Sequence, residues 1–408
     1  MIAAPAQASP DKSRTAIWTP SFAAVCVAIF LAYAHNGLLT PTIPLYLHGL
    51  GASEGLIGLA LAAFSITAVC VRPFIGYWTD AWSAIGMAGL GLMILGTTSL
   101  IFMLPVIAVI AGANALRGVG WAGTNTGTNT LVAHIAPPAR RGEASGYYSM
   151  FQSGAAAMLP LGALWLVGAF SSGYVLVFAA AAAFGLAGAA VTRLIAHWPD
   201  QALPQASPVP GGLRLATLID RQVIPVTLIQ IVLSMGQSAA SSFIPLFAQR
   251  LGLDLKDVGW YFVAGGVVSV IGRGPLGRLS DRFGRGPSIA AGFLAIAVAF
   301  LLLSTASSLP ALIAAGVVYS FGFAGAYAAV LALAFDRANP ARRGTAMATF
   351  SLGTQLGLGL GATIWGGLIE LLGYSSMYLV AMGSAVLGMT GTLLMTRLRH
   401  AKPAITHD

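Results

Sequence analysis

Two long stretches of this chain contain no Asp, Glu, Lys or Arg, and they limit the possible folds more than any other feature. The stretches are residues 144–192 and 286–335. Each is long enough for two helices of about 20 apolar residues, the length that crosses the hydrocarbon core of a bilayer. Turn-forming residues lie near the middle of each stretch, at Ser171–Gly173 and Ser307–Pro310. The pattern therefore predicts an all-α membrane protein.

Composition agrees with this prediction, and the charges indicate an orientation. The chain has 408 residues, of which 57% are hydrophobic and 8% charged, a composition unlike that of a soluble domain. Its formal net charge of +9 could also indicate a nucleic-acid-binding protein. However, every Lys and Arg except Arg117, Arg250 and Lys256 lies in or beside segments on one side of a twelve-helix topology. Because positive residues mark the cytoplasmic side, we predict that both termini are cytoplasmic and that no nucleic acid is bound.

The sequence lacks common motifs for metal and nucleotide chemistry, which argues against an enzyme. The sequence contains no HExxH motif and no GxxxxGK[ST] loop. Cys26 and Cys70 fall in apolar runs, where a packing role is favoured over a disulfide or a metal site. Gly118–Gly123 matches GxGxxG, but it lies inside a predicted membrane helix, where helix packing explains it better. We therefore predict no metal, no cofactor and no enzymatic activity.

The second half of the chain repeats the first. One constant spacing relates Pro44 to Pro245, Gly51 to Gly252, Gly58 to Gly259, Arg72 to Arg273 and Asp80 to Asp281. The sequence PARRG also recurs, at 138–142 and 340–344. Two parallel six-helix halves of this kind place a binding site between them, near the middle of the bilayer.

We predict twelve transmembrane helices, six in each half. The predicted helices are 19–40, 54–77, 84–104, 106–134, 143–168, 173–195, 222–248, 256–278, 287–306, 310–336, 343–371 and 375–397. The first half is 19–196 and the second is 221–397, with a cytoplasmic linker at 197–220 whose Pro, Gly, Gln and Ser content is typical of a tether. Residues 1–18 and 398–408 are predicted cytoplasmic tails.

A segment rich in Arg and Asp, GPLGRLSDRFGR at Gly274–Arg285, lies between two apolar runs. Since such charges avoid hydrocarbon, we predict that it is a tight turn at a membrane surface. A second copy, PFIGYWTDAW, lies at Pro73–Trp82. The two copies resemble the signature loops of the major facilitator superfamily.

The resemblance implies a conformational latch in which the aspartate of each copy holds the two halves in one state. Each aspartate lies at a helix C-terminus, where the macrodipole disfavours a carboxylate, so we predict a partner from the PARRG segments. The alternative is a set of loop charges that only fixes topology. The predicted latch residues are Gly76, Asp80, Arg140, Arg141, Gly277, Arg278, Asp281, Arg282, Arg285, Arg342 and Arg343.

Polar or aromatic stripes occur on predicted helices one, four, seven and ten, which line the transport path in the family that the chain resembles. Arg117 is the one cation well inside a predicted span, and such a residue is functional by default. The run LRGVGWAG around it resembles the helix-four arginine motif, which is implicated in proton transfer; a structural Arg is the alternative. The predicted cavity residues are Tyr33, Asn36, Asn114, Trp121, Asn125, Gln230, Ser234, Gln237, Tyr319, Phe323 and Tyr327.

His35 is a second proton-coupling candidate, because it lies within a predicted helix and histidine titrates near neutral pH. A hydrogen-bonded structural role is the alternative. No acidic residue lies at the centre of a predicted span; Glu54, Glu143, Asp336 and Glu370 are all near helix ends. A cavity with Arg and no carboxylate favours neutral, zwitterionic or weakly anionic substrates.

The resemblance extends to the drug-efflux branch through the SGAAAMLPLG run of helix five and the RGEASGYY run before it. It implies a monomeric secondary transporter of the inner or plasma membrane that exports a small amphipathic compound in exchange for protons. Uptake of a nutrient or metabolite, by symport or facilitated diffusion, is the alternative. The partners would be the small-molecule substrate, protons and the lipid bilayer.

Overall fold

The computed structural model describes residues 17–137, 140–195, 220–338 and 343–400, and these parts of the chain are all-helical. The first half contains α1 (Pro20–Gly49), α2 (Glu54–Ala81), α3 (Ala84–Ile101), α4 (Ile107–Ile135), α5 (Arg141–Ala169) and α6 (Gly173–Ile195). The second half begins with α7a (Ile224–Ser242), α7b (Ile244–Arg250), α8 (Leu255–Phe283), α9 (Arg285–Ser304) and α10 (Leu309–Arg337). The last helical stretch, Arg343–His400, is divided by non-helical Gly373 into α11 (343–372) and α12 (374–400).

The described helices include 10 that are long and apolar enough to cross a membrane. This number takes α11 and α12 as one helix and leaves out α4, which carries Arg117 and several Asn and Thr residues. The prediction of an all-α membrane protein is confirmed. The number of twelve spans and the side of the membrane on which the termini lie stay predictions, and most of the predicted linker lies outside the described residues.

The repeat in the sequence corresponds to a repeat in the turns. Gly51 and Gly252, one of the repeated pairs, both have left-handed φ angles, +87° and +73°. Each follows a helix and precedes a polar cap: the Ser53 side chain accepts from Leu56 N at the start of α2, and Asp254 accepts from Lys256 N at the start of α8. The same glycine-then-cap order thus turns the chain into the second helix of each half.

The signature segment is helical, which corrects the prediction of a tight turn over its length. α8 continues through Pro275 to Phe283, the turn consists of Gly284 with φ +94°, and α9 begins at Arg285. The first copy likewise lies almost wholly within α2, which ends at Ala81. Helices that project beyond the hydrocarbon can keep their charges in water without unwinding, and this is why charge alone misplaced the helix ends.

Two other predicted helix boundaries were wrong near proline residues. α1 was predicted to end at residue 40, but it continues through Pro41 and Pro44 to Gly49. Neighbouring helices in a membrane bundle re-satisfy the backbone groups that proline frees, so the helix tolerates both residues. Conversely, the predicted helix 222–248 is interrupted at Phe243, because Pro245 has no N–H with which to continue the helical bonding of α7a.

The two halves pack tightly at one end of the bundle, where α1 ends and α2 begins; we call it the far end. There, α2 packs on α11: a Cβ at Gly58 would lie 2.3 Å from the Ala362 carbonyl oxygen. On the other side of the interface α5 packs on α8, where a Cβ at Gly259 would lie 2.4 Å from Leu161 Cδ1. Backbones that approach this closely exclude any side chain at these glycines.

The opposite end, where α6 ends and α7a begins, is the linker end, and there several glycines of the described segments lie away from neighbouring helices. A Cβ added at Gly76 or Gly277, the two signature-segment glycines, would have no atom within 4 Å. The same holds for Gly146, near the start of α5, and Gly274 of α8. Gly76 and Gly277 therefore make no close helix contact in this conformation.

Two glycine substitutions, one near each end of α2, test this difference in packing. Gly58→Val should force α2 away from Ala362 and cost about 1–3 kcal/mol of stability, as overpacking does, lowering the melting temperature. Gly76→Val has room and should melt within about 1 °C of the wild type, because surface changes are nearly neutral. If the halves close at the linker end during transport, Gly76→Val should nevertheless lose transport. Equal melting temperatures for the two variants would contradict this packing.

Candidate substrate site

Arg117 of α4 is the buried charge around which the first half of the site is arranged. Its guanidinium donates hydrogen bonds to Asn114 Oδ1 and to Asn36 Oδ1 of α1, the latter at 2.6 Å. Its Cζ lies 4.6 Å from the centroid of the Phe64 ring of α2. With an exposed fraction of 4%, the side chain joins α1, α2 and α4 in the interior. Periodicity alone could not identify these partners.

All the polar partners of Arg117 that the structure shows are neutral. Asn114 donates from Nδ2 to the Ala60 carbonyl oxygen at 2.8 Å, which fixes its Oδ1 towards the guanidinium. The Arg117 Nε is buried and has no hydrogen-bond partner among the described residues. No ion pair of Arg117 occurs in the described part of the chain either. The positive charge can therefore accept an anionic or strongly polar group from a ligand.

An aromatic cluster adjoins this charge. The Tyr33 and Trp121 rings are 4.9 Å apart between centroids, and Phe64 lies 6.2 Å from Trp121. Arg72 of α2 is half-buried and lies near Tyr33. The sequence pattern placed Arg72 among the charges of the cytoplasmic side, so this second cation of the wall was not predicted. Its position within a span, beside Pro73, was the available signal.

Towards the linker end the wall becomes uncharged. Asn125 donates to the Trp121 carbonyl oxygen of its own helix, and Thr128 shares a 2.8 Å hydrogen bond with the buried Tyr148 hydroxyl of α5. Beside them is a cavity of about 240 Å³, lined by Asn129, Val132, Ala133, Ala136, Ser145, Tyr148, Ser149 and Gln152. Tyr148 and the α5 residues were not predicted, because the stripe of α4 does not show which helix faces it.

In the second half, α10 carries a ladder of aromatic rings. Tyr319 and Phe323 are 5.9 Å apart with an interplanar angle of 20°, and Phe323 and Tyr327 are 5.8 Å apart at 14°. The Tyr319 hydroxyl is buried and has no hydrogen-bond partner within the described ranges. Phe323 and Tyr327 are only partly buried. The ladder offers flat apolar surface together with polar ring substituents.

The predicted stripe on α7a divides between two environments. Gln230 is fully buried and donates from Nε2 to Ser234 Oγ at 2.9 Å and to Thr354 Oγ1 of α11 at 3.1 Å. Gln237, two turns later, is only partly buried. Gln230 and Ser234 therefore serve helix packing within the second half in this conformation, and Gln237 is the more accessible member of the stripe.

This difference predicts opposite outcomes for two glutamine substitutions. Gln230→Leu leaves Ser234 and Thr354 without their donor, so it should lower the free energy of unfolding by about 1–3 kcal/mol. Gln237→Leu should leave the melting temperature unchanged and shift the relative transport of polar and apolar substrates. Thermal melts and a substrate panel on both variants measure this. A stability loss for Gln237→Leu and none for Gln230→Leu would contradict it.

His35 of α1 contacts α6 and α3, and the structure shows no hydrogen bond between it and Arg117. Its Nδ1 is 3.0 Å from the Ala181 carbonyl oxygen of α6 and 3.4 Å from Ser99 Oγ of α3. The residue is fully buried, and its Nε2 has no hydrogen-bond partner among the described residues. Packing between α1, α3 and α6 favours the structural interpretation of His35 that the sequence left open.

The ion pairs that the structure shows for the described latch charges lie within single halves. Arg285 binds Asp281 and also Asp336 of α10 at 3.1 Å, and Arg140 binds Glu143 of its own segment at 2.9 Å. Arg278 and Arg282 are exposed, with Arg282 lying over the Phe283 ring. The side chains of Asp80, Arg141 and Arg343, and all of Arg342, lie outside the described residues. The latch between the halves stays a prediction.

Comparison with known proteins agrees with this architecture. The sequence model of the Major Facilitator Superfamily matches residues 25–225 and 226–407. Multidrug resistance protein 2 of Bacillus subtilis is 26% identical over 257 residues, and the alignment covers 60% of this chain and 62% of that protein. The chain thus spans about three-fifths of the length of this curated relative.

Two further comparisons cover nearly the whole chain. An uncharacterized transporter of the same superfamily type from Methanocaldococcus jannaschii is 22% identical, covering 91% of this chain and 97% of its own. The structure of a bacterial homologue of the human lysosomal transporter Spinster, inward-facing and occupied, superposes with a TM-score of 0.78 at 16% identity. That superposition covers 98% of this chain and 100% of the other, and it shows the shared fold.

Proposed function

Because this chain belongs to the major facilitator superfamily, and is therefore a multi-pass membrane transporter, we propose that it exports a small amphipathic organic compound in exchange for protons. The observation that carries the proposal is Arg117, a buried charge bonded to neutral amides and aromatic groups. A site built this way suits a neutral or weakly anionic substrate. An organic cation would meet Arg117 with no described carboxylate to offset the repulsion.

Alternating access provides the transport cycle. The halves are packed at the far end, whereas Gly76 and Gly277 at the linker end have no atom within 4 Å of a built Cβ. We propose that the linker end faces the cytoplasm, because basic residues concentrate there. On that orientation the conformation described here is inward-facing, and it takes up substrate from the cytoplasm. Closing the linker end around Gly76 and Gly277 would then release the substrate outside.

The two walls fit different parts of one amphipathic substrate. An acceptor or anionic group would bind Arg117, with Arg72 as a second cation beside Tyr33. The apolar body would lie on the ring ladder of Tyr319, Phe323 and Tyr327, since aromatic faces contribute large contact areas. The relative named for multidrug resistance supports export rather than uptake.

For proton coupling we propose that Arg117 acts as a fixed positive charge, because a guanidinium stays protonated in proteins. The proton itself would be bound and released by a carboxylate near a helix end, and His35 takes no part. The hydrogen bonds of Arg117 join α1 to α4, so a shift between these helices changes its partners. His35 is fully buried, and its Nδ1 lies against Ala181 of α6 and Ser99 of α3. The difference predicts that coupling survives substitution of His35 by Gln.

Whole-cell efflux tests the function. Cells expressing the wild type or Asp281→Asn would be loaded with a panel of dyes, antibiotics and organic acids, each with and without a protonophore. We expect lower accumulation of at least one neutral or weakly anionic compound in wild-type cells alone, and loss of the difference with the protonophore. Higher accumulation in wild-type cells would instead establish uptake. Export that resists the protonophore would contradict the proton-driven mechanism.

A further inference from the structure

The start of α2 is bonded to a carboxylate from the other half of the protein. Glu370, near the end of α11, accepts a 2.9 Å hydrogen bond from the backbone N of Gly55 and a 3.0 Å hydrogen bond from Ser53 Oγ. Ser53 is also the residue that caps α2, accepting from Leu56 N. One side chain of the second half therefore extends the cap of a helix in the first half.

The negative charge of Glu370 is favoured at the start of a helix, and its carboxylate fills the space beside Gly55. The first backbone N–H groups of a helix have no intrahelical acceptor and carry partial positive charge, so a carboxylate is favoured there. A Cβ at Gly55 would lie 2.3 Å from Glu370 Oε2, so a larger residue there would displace the carboxylate from this position. Gly366, one turn before Glu370, brings the backbone of α11 against that of α2. A Cβ added at Gly366 would lie 2.5 Å from the Glu54 carbonyl oxygen.

The other far-end contact between the halves is of a different kind. At Gly168, near the end of α5, a Cβ would lie 2.9 Å from Lys256 Cγ of α8. This is packing of an aliphatic stem against backbone. Among the described residues, the hydrogen bonds that the structure shows between the halves at this end are those of Glu370.

We propose that Glu370 is the gate residue that holds the far end closed, and that it must leave Ser53 and Gly55 before that end can open. The proposal rests on the alternating access described above. When the halves rock, the start of α2 and the end of α11 separate, and both hydrogen bonds of Glu370 break together. Their strength therefore sets part of the ratio between far-end-closed and far-end-open molecules.

The charged surroundings of Glu370 supply a matched control. A neighbouring cavity of about 390 Å³ is lined by His48, Glu54, Leu246, Gln249, Arg250 and Tyr374. Arg250 lies over the Tyr374 ring, 5.9 Å from its centroid, and forms no described ion pair with Glu54. Glu54 is the first residue of α2, so Glu54→Gln removes a carboxylate from the same helix end without touching a bond between the halves.

The test measures the far-end distance directly in protein without substrate. Spin labels would be placed at Ser172→Cys, between α5 and α6, and at Thr305→Cys, between α9 and α10, in a Cys70→Ser background that leaves only the buried Cys26. The protein would be reconstituted in lipid nanodiscs, and distances measured by pulsed electron paramagnetic resonance for the wild type, Glu370→Ala, Glu370→Gln and Glu54→Gln.

We expect one dominant short distance in the wild type and in Glu54→Gln. Glu370→Ala should raise the ratio of long to short distances by about fivefold, the effect of losing an ordinary charge interaction at a helix end. Glu370→Gln keeps a hydrogen-bond acceptor, so its ratio of long to short distances should lie between those of the wild type and Glu370→Ala. This variant also tests the proposal if Glu370→Ala misfolds. A wild-type distribution in both Glu370 variants, or an equal shift in Glu54→Gln, would overturn the proposal. The distance measurement needs no substrate, so it can support or overturn the role of Glu370 even if the export assay fails.

Discussion

Arg117→Gln is expected to reduce proton-driven transport by roughly ten- to hundredfold while the protein remains folded in the membrane. Glutamine can still donate a hydrogen bond to Asn36 or Asn114, so the buried amides keep a donor, but the positive charge is lost. A hydrogen bond to a charged group is worth about 1.5–3 kcal/mol, and each 1.4 kcal/mol corresponds to about tenfold. Transport by purified variants in proteoliposomes measures the loss.

Arg117→Lys is the matched control for charge. It keeps the cation but loses the two-armed geometry that joins Asn36 to Asn114, so we expect partial activity with coupling intact. Melting temperatures separate a loss of transport from a loss of stability. If Arg117→Gln transports at the wild-type rate and with unchanged dependence on the proton gradient, Arg117 is a structural residue, and its proposed roles in substrate binding and in proton coupling are both wrong.

Asp281→Asn is the second large effect that we expect, a loss of at least about tenfold in transport with little change in stability. The local ion pair is exposed, with 66% of the Asp281 side chain accessible. An exposed pair contributes about 0–1 kcal/mol, which is too little for its removal to unfold the protein. The transport loss would therefore come from the other conformation, in which Asp281 would hold the closed linker end.

Asp336→Asn provides the control for this prediction. Asp336 shares Arg285 with Asp281, but it lies at the end of α10 rather than in the signature segment. We expect it to retain most transport. Equal losses in the two variants would mean that the Arg285 network acts within the second half alone, and the latch between halves would be excluded.

The sequence was sufficient to predict an all-α membrane protein, because charge-free apolar runs are properties of single segments. Gly51 and Gly252 are a pair in the sequence repeat, and the structure shows that both have left-handed φ angles. Boundaries were less accurate where proline and charge entered a helix. Pro41, Pro44 and the Gly274–Arg285 segment are all helical in a bundle that compensates for them.

Partners between distant helices could not be predicted from one sequence. A stripe shows that Gln230 and Gln237 share a face, but only the packed structure shows that Gln230 bonds to Thr354 of α11. Likewise, Glu370 was recognised only as a carboxylate near a helix end, since nothing in its neighbours indicates the start of α2. The contacts between side chains of distant helices could therefore be identified only from the three-dimensional structure.

The central claim, proton-coupled export, is tested most directly by the polarity of the gradient that drives transport. Purified protein would be reconstituted in liposomes, and accumulation of the best compound from the efflux panel followed under opposite pH gradients. An exchanger predicts accumulation in vesicles with an acidic interior, because outward proton flow drives substrate inward, and loss of accumulation with a protonophore or in Arg117→Gln. Accumulation only in vesicles with an alkaline interior, or equilibration without accumulation, would contradict the account.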